Sequence, residues 1–202
     1  MPAELLTALA FTAVMTASAL LGYVTDRRTP KFRKGEPANV AAVAAVSLMS
    51  LAMCFIFGAS FTLLKGILLA DIFMFASVSD IRERKSPDCV PVAIALLGFI
   101  NVSGSELFRN AAAAFASFGF FFLAAIISRN RIGGADVKFI AACVFVLGEI
   151  AGLGGLFIGL LASVIGTLVR NRLTKSKDKT MPMLPYLSAG FLSAFMIGGI
   201  IS

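Results

Sequence analysis

Two aspartates stand where an acid is costly to keep. Asp80 follows the almost wholly apolar run from Gly66 to Val78, and Asp136 lies beyond a second apolar run that ends at Ser128, just after Gly133 and Gly134. A charged carboxylate beside hydrocarbon is unfavourable unless it is protonated, paired or wet. Two such carboxyls brought together can share one proton, so that one activates a water as a base while the other protonates a carbonyl as an acid. That is the chemistry of aspartyl proteolysis. The plainer alternative is that each acid ends a helix and faces the aqueous phase.

Holding two acids at a membrane edge requires membrane-spanning elements, and the composition supplies them. The chain of 202 residues is 58% hydrophobic and 14% charged, with mean hydropathy +0.92, whereas soluble domains carry about a quarter charged residues. Segments of about 20 apolar residues suit a bilayer core, and the runs lack the alternation of barrel strands. The expected fold is all-α, a polytopic transmembrane bundle of about eight helices near 4–24, 40–61, 63–79, 89–103, 110–128, 138–150, 152–169 and 184–201, forming one domain over 1–202.

The net charge of +7 is distributed by topology. Arg27, Arg28, Lys31, Arg33 and Lys34 follow the first helix; Arg82, Arg84 and Lys85 the third; Arg129, Arg131 and Lys138 the fifth; Arg170, Arg172, Lys175, Lys177 and Lys179 the seventh. Eight alternating helices put all of these on one side and leave Lys65 and Arg109 on the other. By the positive-inside rule the rich side is cytoplasmic, which predicts both termini outside, and Asp80 and Asp136 on the cytoplasmic face. The stretch 25–39 then reads as topogenic and as a lipid-headgroup contact, with no call for nucleic acid. The alanine- and glycine-rich stretches 111–119 and 152–159 read as faces on which helices approach closely. With no histidine, and with Cys54, Cys89 and Cys143 in no C-x-x-C spacing, neither a zinc site nor a Cys-His nucleophile is expected. The first apolar run precedes its basic residues, the reverse of a cleaved signal, and reads as a membrane helix.

The residues around the acids sharpen this reading. Asp80-Ile-Arg-Glu-Arg-Lys-Ser-Pro87-Asp88 resembles the first active-site motif of the type IV prepilin peptidases, and Gly133-Gly134-Ala135-Asp136-Val137-Lys138-Phe139 is similar to their G-x-G-D motif followed by hydrophobic-Lys-hydrophobic. Pro182-Met-Leu-Pro185-Tyr186 looks like the P-x-x-P-aromatic stretch that opens the family's last helix. The resemblance implies a GxGD-type membrane aspartyl protease with Asp80 and Asp136 as its catalytic pair. Pro87, Asp88, Gly133, Gly134, Lys138 and Pro185 are implied as supporting or substrate-binding positions. No cofactor or metal is implied. The implied partner is a prepilin or pseudopilin with a basic leader and a hydrophobic helix, cleaved at the cytoplasmic face of a bacterial or archaeal inner membrane. The loop after the first helix lacks the zinc-cysteine insert of larger members, which implies peptidase activity without methyl transfer. Two positions depart from the pattern: Ala135 replaces the motif's second glycine, a problem if the backbone there needs positive φ, and Ser86 replaces a hydrophobic residue.

Other acids compete. Asp71 precedes Asp80 by nine residues, which on a helix puts it about 13 Å deeper and on the opposite face, as a polar packing or pore residue. Asp26 reads as topogenic. Two further functions fit a set of membrane acids: a proton-coupled transporter using Asp71, Asp80 and Asp136, or a catalytically silent subunit of a pilus or secretion assembly, the latter on account of Ala135. Glu83 and Asp88 would attract a basic leader. Helix-end dipoles predict that Asp136 is the ionised base and Asp80 the protonated acid, because Asp80 would follow a helix C-terminus and Asp136 precede an N-terminus.

Overall fold

The computed structural model describes residues 48–58, 60–83, 87–128, 133–174 and 182–201. Among these residues there are seven helices and no strand: α1 (Leu48–Phe57), α2 (Phe61–Glu83), α3 (Cys89–Leu97), α4 (Gly104–Ile127), α5 (Gly134–Leu147), α6 (Glu149–Thr174) and α7 (Leu184–Ile201). Three stretches are long and apolar enough to cross a membrane, Phe61–Ile81, Gly104–Ile127 and Glu149–Arg170. The predicted first helix, the stretch 25–39 with Asp26, and the basic residues Arg84, Lys85, Arg129, Arg131, Lys175, Lys177 and Lys179 lie outside the described residues. Seven helices are therefore described where about eight are expected, and the sidedness of the termini is not among the described features.

The chain forms two compact units, Met1–Phe75 and Ala76–Ser202, the division falling inside α2. In the first, Met53, Leu63, Ile67, Leu69, Ala70 and Phe73 are buried. The second is built around α5. This helix packs against α3, α4, α6 and α7, and Val137, Phe139, Ile140, Ala142, Cys143, Val144 and Val146 are all buried. A helix apolar on every side is stable only when surrounded, and α5 is. At 14 residues it rises about 21 Å, short of a bilayer core of about 30 Å.

The largest interface joins α6 to α7, and small residues make it. The Gly190 backbone lies directly on Gly155 and Gly159, while a Cβ at Gly155 would stand 2.9 Å from the Phe191 backbone. Such contacts need the missing side chains. The stretch 152–159 is thus a packing face. The other small-residue stretch, 111–119, is mostly at the surface of α4: a Cβ at Gly119 would meet nothing within 4 Å, and Phe115 is 76% exposed.

Helix ends differ from the predicted ones for local reasons. Helix α4 begins at Gly104, six residues before the predicted start, because Ser103 and Glu106 form a capping box. Helix α3 stops at Leu97, and turns follow through Asn101, which has φ 51°. A single residue, Gly148 at φ +84°, separates α5 from α6. Helix α2 continues to Glu83, so Asp80 lies inside its last turns and does not follow its end.

Candidate active site

Gly133 is the N-cap of α5, with extended backbone and no side chain to offer. Gly134, Ala135 and Asp136 are then the first three helical residues. Ala135 accordingly has ordinary helical backbone, and among the described residues the sole non-glycine with positive φ is Asn101. Alanine is the best helix former, so the departure from a motif glycine needs no strain at this position. Gly134 faces open space, so it is not needed for packing. Gly133 is different: a Cβ there would stand 3.0 Å from Asp136 Oδ2.

Asp136 occupies the third position of α5, outside the three spanning segments. Its carboxyl is pushed up from 3.8 to about 6, first by burial and then by the negative charge of Asp80, while a hydrogen bond with the Gly133 backbone pulls the other way. Desolvation and a like charge both disfavour a second carboxylate. The helix N-terminus favours one by only about 0.3–1 kcal/mol when exposed. Burial and Asp80 outweigh it, so Asp136 takes up a proton more readily than an ordinary aspartate, against the direction that the helix end alone predicts. Its signal was not in the local sequence, because burial depends on how other helices pack around α5.

Asp80 is half-buried, and its Oδ2 accepts a hydrogen bond from the Leu184 backbone N–H at 3.0 Å. Leu184 opens α7, where the first N–H groups have no partner inside the helix. An acid from α2 therefore supplies an acceptor to the last helix. Pro185, next in line, has no N–H to satisfy and fits the first turn. Three residues before Asp80, the Ser77 hydroxyl donates to Ser188 Oγ at 3.3 Å. The third motif thus belongs to the site through its backbone, a role that side-chain chemistry does not announce.

Asp88 is the N-cap of α3 but makes no capping hydrogen bond. Its carboxylate instead pairs with Lys138 Nζ at 3.1 Å, in an exposed ion pair. That contact joins the segment after Asp80 to the segment after Asp136. Pro87 is half-buried, and its carbonyl accepts from Val90 N–H at 3.1 Å, starting the turn into α3. Asp71 also makes an electrostatic or hydrogen-bond contact, so it is not an idle acid. The side chains of Arg82 and Glu83 lie outside the described set. Among the described residues no group of three or more His, Cys, Asp or Glu side chains could hold a metal ion.

Three helices long and apolar enough to cross a membrane make this a membrane protein of the helical type. The chain belongs to the type IV leader peptidase family: the family model matches residues 67–170, just over half of the 202 residues. The match spans Asp80, Pro87, Asp88, Gly133, Gly134, Asp136 and Lys138, whereas Pro185 lies beyond it. No curated protein and no solved structure matched the chain. Membership makes the chain a peptidase, hence a hydrolase acting on a protein substrate.

Proposed function

We propose that the protein is an aspartic endopeptidase that removes the leader of type IV prepilin-like proteins, with Asp80 and Asp136 as its catalytic pair. The observation that carries this is the coupling of the two acids: the charge of Asp80 raises Asp136, within the stretch that matches the leader peptidases. In this reading Asp136 acts as the acid and Asp80 as the base. Asp80 takes a proton from water as the water attacks the scissile carbonyl carbon, while Asp136 protonates the carbonyl oxygen. Collapse of the gem-diol breaks the C–N bond; Asp80 gives its proton to the leaving amine, and Asp136 regains one from the diol. Lys138 and Asp88 hold the two acid-bearing segments together. The proposed setting is a single multi-pass domain over 1–202, with eight helices, both termini outside, and the acids at the cytoplasmic face of a bacterial or archaeal inner membrane. The basic leader of the substrate stays in the cytoplasm while its hydrophobic helix lies in the bilayer. The helical geometry of Ala135 supports an active enzyme over a silent subunit.

Co-expression with a prepilin tests the pair. Asp80→Asn and Asp136→Asn should each lower leader cleavage by more than about a hundredfold, the scale of a positioned proton-transfer group, with membrane insertion intact. Processing retained by either variant on a gel-shift assay excludes that residue from the dyad. Proton flux in liposomes without cleavage would support a transporter instead.

A further inference from the structure

The Ser77–Ser188 contact lies one turn from Asp80 and outside the residues given a chemical role above. On α2 it is three residues before Asp80, and on α7 it is four residues after Leu184. Falling numbers on one helix meet rising numbers on the other, so the two helices run antiparallel here, joined by two polar contacts about 4.5–6 Å apart along their axes. Leu184 is 1% exposed and Ser188 4%, so water is a poor substitute for either partner. The first contact is a backbone N–H held at one carboxylate oxygen. The second fixes how far α7 is advanced along α2.

We propose that Ser188, held by Ser77, is a positioning residue for Asp80: it sets the register at which the Leu184 N–H meets Oδ2 and leaves Oδ1 for the proton exchanged with water. An N–H can only donate, so the oxygen it occupies is tied as an acceptor and the proton is carried by the other. Without the serine pair, α7 slides or rotates by a fraction of an ångström and the N–H loses its aim. This rests on the aspartic reading of the pair. The wider packing of α7, through Gly155, Gly159 and Gly190, is independent of the serines. Removing both hydroxyls together leaves no buried polar group unpaired, so the fold should barely notice.

The test compares wild type, Ser77→Ala, Ser188→Ala, the double Ala variant and Ser77→Thr in proteoliposomes containing a prepilin. Each single Ala variant should lower kcat by about tenfold to a hundredfold with KM unchanged, a cost expected of small misplacement. The double variant should fall no further, and Ser77→Thr, which keeps the donor, should restore the rate. The infrared stretch of the Asp80 carboxyl, assigned by its loss in Asp80→Asn, should shift in Ser188→Ala. Unchanged kcat with an unshifted Asp80 stretch overturns the proposal, as do additive losses that track melting temperature. If the wild type cleaves no prepilin, the peptidase reading fails, and the Asp80 stretch alone decides whether the serine pair positions that acid.

Discussion

Glu106 and Asp136 occupy the same position on their helices, the third residue after the N-cap, and lead opposite lives. Before Glu106 stands Ser103, whose hydroxyl takes the Glu106 N–H at 3.4 Å while Glu106 takes the Ser103 N–H at 3.0 Å. Both sit in the open, and the box is complete. Before Asp136 stands Gly133, with no side chain to return the bond, and the carboxyl is half-buried, within reach of the charge of Asp80. One acid finishes a helix; the other has its carboxyl raised to about 6. The difference lies in the N-cap residue and in burial, since the helix-end field is common to both.

Making Asp136 resemble Glu106 should have the largest effect. Gly133 has φ −66° and ψ 136°, which serine adopts freely. Gly133→Ser would complete a box and stabilise α5 by about 0.3 kcal/mol. It would also crowd Asp136 Oδ2, and cleavage should fall by about tenfold or more, equal to about 1.4 kcal/mol of barrier. A serine variant of full activity would show that the open N-cap is irrelevant to the chemistry.

Acidity separates the two next. Because the Asp136 carboxyl is raised to about 6 in the folded chain, the native state binds the extra proton between pH ~4 and ~6. Stability then declines as pH rises through that window, the reverse of a salt-bridged aspartate. With its partial exposure allowed for, the change is about 1 kcal/mol. Denaturation in detergent should show the slope in wild type and in Glu106→Gln, and lose it in Asp136→Asn. A slope that survives Asp136→Asn would move its origin elsewhere. The smallest effects concern the helix starts themselves. Ala135→Gly should cost just under about 1 kcal/mol of stability through helix propensity, and Glu106→Ala about 0.5 kcal/mol through the broken box, with cleavage rates unaltered in both. A rate change in Ala135→Gly would show that this position is more than a helical residue.

The all-helical architecture was legible because apolar length is a strong signal, and the order of the helices follows the predicted runs from 40–61 onward. The two acids stand out in the sequence for a related reason: each interrupts the hydrophobic pattern. Helix starts were less so. The six-residue error at α4 came from following apolar runs past Ser103 and Glu106, whose capping-box spacing was readable. The burial of Asp136 was not readable, because it depends on helices packed around α5 whose positions are fixed by long-range contacts. Nor was the Leu184–Asp80 bond, since the donor is a backbone group that any residue type except proline would carry. The pairing of Lys138 with Asp88 was hidden likewise: opposite charges fifty residues apart meet through topology alone.

The Leu184–Asp80 bond also puts a clock on the enzyme's birth. Asp80 and its N–H donor are 104 residues apart in sequence, so at about 5–20 residues per second the ribosome takes about 5–20 seconds to travel from one to the other. Asp136 emerges within that interval. From then on both acids exist in the nascent chain, but the helix that holds the first of them has not been made, and the α6 surface that receives it at Gly155 and Gly159 stands open. Until α7 is made, Asp80 is without the backbone N–H that it holds in the folded chain.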